Sequence, residues 1–577
     1  VRLGLIKELD LGQGDLHCKG KSVSKLIFSN GVIYYKARNC RVDLQFQKIL
    51  KYMNQEQIFQ NGMKYRPLRM FVTDTCGWME EVDYKHAKSY NEIEEYYIKL
   101  GGLLAILYSL NATDFHQENI IASGKNPMLV DLETLLNVEF TDDEFDPESA
   151  FGNVNRLLHQ SVQAVGILPS KLHAGNNKGE FEIGGTVNKD RQKSPIKSPI
   201  VVNDNTDEIS IKLGYAYMSC NRNVPIYKDK EILAEDCIEE IIFGFRKQYE
   251  WILNHKREYS TMIIKDFEGV SVRIIVKPTF MYAYISSIAK HPNFFVSEVQ
   301  NELLNARIGL YTKDSSLTKA EIRAMKRYEI PYFYSIFGEN FLRDDMGKKL
   351  NIKLYRSSKE LFQEKMECLS KEDEELQMEI IRVAFFTQTP QSLHTNIKYS
   401  ENETPVKKQE KEEYLVTAKK IADYLLRTSV NGVNGNGAVD VMWFESSPDR
   451  LDVDDWTYSV ASFDLYNGTS GIGLFLLNMW KATGEIKYLN KSRETLEPII
   501  RFIKNGTYNY TELLGAYNGI GSYLYFLSKF VISTGDNTLL PILKYGIDLL
   551  DDKIRTGKEC DLVAGTIGLL AVMLNIR

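Results

Sequence analysis

The chain has 577 residues, more than one hydrophobic core supports, so two or more domains are expected. Hydrophobic residues make up 44% and charged residues 26%, as in ordinary soluble globular proteins, and a net charge of −6 gives no basic footprint for nucleic acid. No run of about 18 apolar residues marks a transmembrane helix, and seven scattered cysteines without a Cys-x-x-Cys pair read as reduced cytosolic thiols.

Residues 1 to about 90 predict strands with one helix. Leu26, Phe28, Val32, Tyr34 and Lys36 fit a hairpin around Ser29-Asn30-Gly31. Asp43 to Gln60 fits a helix, and Met70 to Val82 fits a strand and crossover with Gly77 as a flexible point. A helical pattern from Ile98 to Leu110 then runs into a polar loop, Asp114-Phe-His-Gln-Glu-Asn119. A short apolar run (Met128, Leu129, Val130) delivers Asp131 and Glu133, and residues 126–139 read as a second hairpin. Phosphoryl transfer needs these parts: a carboxylate near the acceptor hydroxyl, and an Asn with a second Asp to hold magnesium on the phosphates. The order Asp-x-His-x-x-Asn differs from the His-Arg-Asp loop of protein kinases and resembles the loop of small-molecule kinases such as the aminoglycoside phosphotransferases. An acidic surface turn is the bland alternative, but it does not explain the strand and second Asp that follow.

The stretch from about 169 to 207 is polar, with Gly175, Gly179, Gly184 and Gly185, and reads equally as a mobile lid or a disordered insert. Residues 210–390 mix helices and strands. Within them Phe267 to Lys277 alternates, with Val270, Val272, Ile274 and Val276 on one face and Ser271, Arg273, Ile275 and Lys277 on the other. Thr279 joins the second face if the chain stays extended past Pro278. From spacing alone the solvated face of an edge strand is the better reading, and a functional cationic row the other.

Residues 391–412 are poor in apolar residues and suit a linker, giving expected domains of 1–395 and 413–577 with the linker over 396–412. Three stretches beyond it repeat around Gly473, Gly521 and Gly568, spaced 48 and 47 residues apart. Each opens an apolar helix-like run, which fits paired helices of an α/α toroid, and three repeats are fewer than a closed ring needs. The start at Val1 and the stop at Arg577, inside this pattern, are expected of a piece of a longer protein.

Several stretches together resemble a class II (LanM-type) lanthipeptide synthetase. They are Gly14-Asp-Leu-His17-Cys-Lys-Gly20-Lys-Ser-Val23, Tyr35-Lys36-Ala-Arg38, Thr113 to Asn119, Val130-Asp-Leu-Glu133, Arg273 to Thr279, and Leu465 to Phe475. The resemblance covers nearly the whole chain. It implies an α+β kinase-like dehydratase domain, with a β-rich N-lobe and helical C-lobe, followed by a partial all-α toroid cyclase. The implied enzyme phosphorylates Ser and Thr of a ribosomal precursor peptide with ATP and Mg²⁺ and eliminates the phosphate. It then adds Cys thiols to the alkenes at a Zn²⁺ site.

The resemblance also implies roles. Lys36 contacts nucleotide phosphates, and Asp15 and His17 belong to the loop covering them. Asp114, His116 and Asn119 form the catalytic loop, Asp131 and Glu133 the metal-binding strand end, and Arg273 and Thr279 serve elimination. The elimination base is left open between His116 and Lys36, and the helix acid that pairs with Lys36 between Asp43, Glu56 and Glu81. Leu16, Cys18 and Lys277 depart from the family's usual residues.

No zinc ligand set of two Cys and one His lies between 413 and 577, so those ligands are expected beyond Arg577. Cys560 reads as a packed core thiol. Asp561 resembles an acid near the zinc and reads equally as a helix N-cap. The implied setting is cytoplasmic and monomeric, with a leader-bearing precursor peptide and membrane-associated export machinery as partners and no nucleic acid. A kinase that stops at the phosphate ester would explain Lys36, Asp114, Asn119 and Asp131 but not the row at Arg273 or the repeat. A catalytically dead scaffold would leave the intact Lys/Asp/Asn/Asp set unexplained.

Overall fold

The computed structural model describes residues 3–59, 62–138, 148–173, 180–188, 192–217, 222–294, 297–311, 314–386, 411–448, 456–504, 513–556 and 559–576. The chain divides into two compact units, Val1–Asp142 with Gln160–Phe386, and Asp143–His159 with Thr387–Arg577. Among the described residues no helix is long and apolar enough to cross a membrane.

The first unit opens with strands Ile6–Leu11 (β1), Val23–Phe28 (β2) and Gly31–Lys36 (β3), then helix Arg41–Gln55 (α1), then strands Met70–Val72 (β4) and Gly77–Glu80 (β5). The strands form one antiparallel sheet in the order β1-β2-β3-β5-β4. Its register sets Lys36 opposite Gly77. Gly77 is not a hinge: a Cβ there would lie 2.8 Å from the Cys40 Sγ, so its bareness lets the start of α1 close on the sheet. The helix expected over Asp43–Gln60 runs from Arg41 to Gln55. It buries Val42, Phe46, Ile49, Leu50 and Met53 at helical spacing, and Asp43 with them.

Helix Tyr90–Ser109 (α2) starts at a Ser89 cap that accepts from the Glu92 N–H, and most of its residues are buried on every side. A side chain at Gly101 would collide with the Ile241 carbonyl, so α2 meets the helix Ile238–Asn254 backbone to backbone. That crossing fixes the end of α2, from which the polar loop leaves. The hairpin expected over 126–139 lies earlier, as Ile120–Ser123 (β6) paired with Asn126–Leu129 (β7). Its turn falls at Gly124, whose φ of +59° is left-handed and easy only for glycine.

Within the 169–207 stretch the structure forms paired strands where the sequence reading expected a lid or insert, Ser170–His173 with Glu180–Ile183 and Lys193–Val202 with Ser210–Tyr217, and the turns at 184–188 and 203–207 remain loop. Ile196, Ile200, Val201 and Val202 supply the β-branched content that its Lys and Gly residues obscured. Residues 174–179 and 189–191 of that stretch lie outside the described set.

Strands Ser271–Ile274, Phe333–Ile336, Phe341–Arg343 and Lys349–Lys353 form a second antiparallel sheet in that order. Ser271–Ile274 is its edge strand, and Ile274 packs with Leu317 and Ala320 of the helix Ser315–Met325. The extended stretch ends sooner than the alternation suggests. Pro278 closes it, and Thr279 opens the helix Thr279–Ala289 instead of prolonging the polar row.

In the second unit the helix Ala150–His159 (α3) packs on strands Val430–Val433 and Val439–Met442. The Ala150 N–H donates to the buried Asp440 Oδ1 (2.8 Å), and the Val433 N–H to the Glu148 carbonyl (2.9 Å). Residues 143–159 lie inside the span 1–395 assigned to the first domain from sequence. The repeat follows as two helical layers. Thr469–Thr483, Ile520–Thr534 and Thr566–Ile576 contact in succession, and Ile486–Lys504 contacts Leu540–Asp548. The loops before the first-layer helices interlock. Leu465 N–H donates to the Tyr517 carbonyl (3.0 Å), Gly519 N–H to Asp464 Oδ1 (2.5 Å), and Leu514 N–H to the Ala564 carbonyl (2.9 Å). A side chain at Gly473 would collide with Phe526 of the neighbouring helix, the crowding that the repeat glycines imply. Of the linker expected over 396–412, residues 396–410 lie outside the described set, and 411–412 open the helix Lys411–Thr428.

Candidate active site

Lys36, at the end of β3, is 5% exposed. Its Nζ donates to the Val130 carbonyl (2.8 Å) and lies 3.5 Å from Oδ1 of both Asp43 and Asp131. Of the three acids left open as its helix partner, the structure selects Asp43, while Glu81 pairs with Lys25 at 3.0 Å. Arg38 bridges the cluster, to Asp43 Oδ2 (2.8 Å), Asp131 Oδ1 (2.8 Å) and Glu133 Oε2 (3.0 Å). Arg273 closes it from the edge strand. Its Nη1 donates to Glu133 Oε1, its N–H to the Glu133 carbonyl (3.0 Å), and its guanidinium lies 5.3 Å from the Tyr332 ring centroid.

Lys36, Arg38 and Arg273 therefore face Asp43, Asp131 and Glu133 in a formally neutral cluster. Removing one partner of a buried pair leaves an uncompensated charge, at a cost of about 3–5 kcal/mol. The Arg273 side chain is only 10% exposed, which corrects the solvated-face reading. Glu133 has both oxygens on arginines and is a hub of ion pairs. Sequence reading gave Arg38, Asp43 and Tyr332 no firm role. The signal for Arg38 was its spacing of two from Lys36, which puts both on one side of an extended chain.

Partial burial opposes ionisation of Asp131, but Lys36, Arg38 and Arg273 outweigh it and hold the carboxyl well below the usual range. Its Oδ2 takes no partner among the described residues. Burial also opposes the charge on Lys36, yet Asp131 and Asp43 prevail and raise its pKa, so the amine stays protonated.

The catalytic-loop candidates sit on a strained turn. Asp114 has φ +69°, which costs a non-glycine residue about 1–2 kcal/mol. Phe115, fully buried, gives back about 1.5–3 kcal/mol and decides the balance. The Asn119 Nδ2 donates to the Asp114 carbonyl (2.7 Å), which leaves the Asn119 amide oxygen for another partner. Two glycines that sequence reading left without a role at this site hold the loop. A Cβ on Gly166 would lie 3.0 Å from the Phe115 N, and one on Gly185 2.7 Å from the Phe115 carbonyl oxygen. The Gly184 N–H also donates to Gln117 Oε1 (3.1 Å). Burial raises the Asp114 carboxyl above its ordinary value, against the pull of His116 and Arg273. His116 accepts the Glu118 N–H on Nδ1 (3.3 Å) and turns Nε2 toward Asp114 Oδ1 at 3.6 Å.

The loop carrying Asp15 and His17 docks on the second sheet's approach. His17 Nδ1 lies 2.7 Å from the Ile330 carbonyl, an acceptor only, so Nδ1 carries the proton and Nε2 the lone pair. Burial, then the charge of Arg273, holds the imidazole below its ordinary pKa. Its ring meets Tyr332 edge-on at 5.6 Å. The Gly20 N–H donates to Glu329 Oε1 (2.7 Å), pinning the turn. Asp15 is exposed, and Thr279 is half-buried at its helix start. In the second unit Cys560 is exposed, not packed, because the helix after it begins only at Thr566. Asp561 Oδ1 accepts the N–H groups of Val563 (2.7 Å) and Ala564 (2.8 Å), closing the turn before that helix.

Residues 1–335 match a family model described as "Domain of unknown function (DUF4135)", and residues 459–577 one described as "Lanthionine synthetase C-like protein". The chain thus pairs a DUF4135 domain with a LanC-like domain, whose class of fold is a helical toroid. With both matched in this order, the chain belongs to the LanM-type lanthipeptide synthetases. It is similar to "Lacticin 481/lactococcin biosynthesis protein LcnDR2" of Lactococcus lactis subsp. lactis, with 27% identity over 590 residues, covering 98% of this chain and 60% of that protein. The chain therefore spans about three fifths of the length of this curated relative.

Proposed function

We propose that the first unit is a kinase-like dehydratase acting on Ser and Thr of a leader-bearing precursor peptide, and that the second unit is its thioether cyclase. The observation that supports this most is the shared charge cluster, in which Lys36 and Asp131 of a phosphoryl-transfer set are joined through Arg38 and Glu133 to Arg273. An ester-forming kinase has no task for Arg273 and Tyr332 beside its metal-binding carboxylate.

In the first step Asp114 takes the proton of the peptide hydroxyl, for which a raised pKa suits it. The hydroxyl oxygen bonds to the γ-phosphorus of ATP as the bond to the ADP oxygen breaks. Asp131 Oδ2 and the Asn119 amide oxygen are hard oxygen donors that suit Mg²⁺, which when bound neutralises charge on the phosphates. Lys36 and Arg38 orient Asp131 for that role. In the second step a base removes the Cα proton, the C–H electrons form the Cα=Cβ bond, and the Cβ–O bond breaks to release phosphate. Arg273 receives the phosphate through paired N–H groups. His17, neutral with its Nε2 lone pair, meets the needs of the base better than protonated Lys36 or His116, whose Nε2 is turned to Asp114. Cys thiols of the same peptide then add to the alkenes. Among the described residues no group of three His, Cys, Asp or Glu could hold zinc, so no step is derived through that metal. A reduced, ATP-supplied cytoplasm suits both halves.

Mass spectrometry of a Ser/Thr/Cys-containing, leader-bearing peptide, incubated with the full-length protein, Mg²⁺ and ATP, tests the reading. We expect water loss that requires ATP, slowed by about 10²–10³-fold in Asp131→Asn. Water loss without ATP, or phosphate gain that never proceeds to water loss, would contradict it.

A further inference from the structure

Just beyond Arg273 a buried carboxylate gathers three elements. Lys277, in the turn after the edge strand, is 7% exposed, and Glu321, on the helix Ser315–Met325, is 0% exposed. The Lys277 Nζ donates to Glu321 Oε1 (2.5 Å), and the Tyr282 hydroxyl, from the helix Thr279–Ala289, donates to the same oxygen (2.7 Å). The other oxygen, Oε2, is buried without a hydrogen-bond partner. Lys277 is thus not part of an open cationic row: its charge is spent inside the fold.

Such an arrangement is costly as a means of stability alone. A buried ion pair contributes little net, and an orphaned carboxylate oxygen adds its own desolvation penalty. What it does supply is geometry. Only Ile274 and the turn Ile275–Pro278 separate Arg273, on the strand, from Thr279, on the helix, and Glu321 holds Lys277 of that turn and Tyr282 of the helix after it. One oxygen holds both. We propose that Glu321 is a positioning residue that sets Thr279 relative to Arg273 for the phosphate-elimination step. The inference rests on the dehydratase reading above and assigns that step a residue outside the charge cluster.

The test separates the two half-reactions in the full-length protein. Phosphorylation is followed on the unmodified precursor peptide, and elimination on a synthetic phosphoseryl form of it with Mg²⁺ and ADP. Glu321→Gln is expected to lower kcat for elimination by about 10–100-fold with KM little changed, since an ångström of misplacement can cost that much. Phosphorylation stays within about twofold, so phosphopeptide accumulates. Because removing one partner of a buried pair can unfold a protein, Lys277→Met with Glu321→Leu is the second variant. An apolar replacement of the whole pair should restore thermal stability yet still accumulate phosphopeptide. Equal loss of both half-reactions in a folded variant, or elimination at the wild-type rate in either variant, would overturn the inference. Failure of the wild type itself to release phosphate from the phosphoseryl peptide would instead sink the dehydratase reading, and this inference with it.

Discussion

Two histidines near the charge cluster are set in different states by one backbone contact each. The Ile330 carbonyl fixes the proton of His17 on Nδ1, whereas the Glu118 N–H fixes the lone pair of His116 there. His17 also has a lowered pKa, through burial first and Arg273 second. A histidine with a lowered folded pKa remains neutral, and able to take a proton, further into acid. The rate of elimination from a supplied phosphopeptide should therefore hold through about pH 6.5, the free histidine value, and fall only below it. An acid limb at or above that value would remove His17 as the base. At this scale Lys36, Asp114, Asn119 and Asp131 were legible in the sequence because their spacing is local to one motif each. Arg38, Asp43 and Tyr332 were not, because their partners lie on other elements.

The loop from Asp114 to Asn119 is held as an element by what leaves room for it. Gly166, at φ +89°, and Gly185 flank the Phe115 backbone; a Cβ on Gly185 would collide with it, and one on Gly166 would press on it at 3.0 Å. Gly166→Ala adds left-handed strain of about 1–2 kcal/mol to a contact with the Phe115 N. Phosphorylation should fall by at least about tenfold while the far-ultraviolet circular dichroism stays that of wild type. Wild-type phosphorylation in that variant would show that the loop does not depend on this packing. The sequence marked Gly184 and Gly185 as loop glycines, and their partner, the loop from Asp114 to Asn119, could not be read from composition. The same limit applies at Pro278: alternation predicted the edge strand, but the contacts of Lys277 and Tyr282 with Glu321 across the turn that follows lie between distant elements.

For the whole molecule, the order of a mixed unit and a helical repeat was legible from the motifs and from the spacing of Gly473, Gly521 and Gly568. The assignment of residues 143–159 was not, since α3 has an ordinary amphipathic pattern and its place is set by distant partners: Asp440 for the Ala150 N–H, Val433 for the Glu148 carbonyl just before it, and Met442 for its apolar face. Hydrogen exchange should show the amides of α3 opening with the strand Val439–Met442 and not with the Asp114 loop, and exchange in step with that loop would contradict the division. On the proposed reading one cluster performs two steps in sequence, phosphorylation through Lys36 and Asp131 and then elimination through Arg273. The most direct measurement is mass spectrometry of the precursor peptide treated with Mg²⁺, ATP and either wild type or Arg273→Ala. Water loss by wild type with phosphate retained on the variant's product is the predicted result. Water loss by both alike, or a peptide that neither protein phosphorylates or dehydrates, would contradict the account.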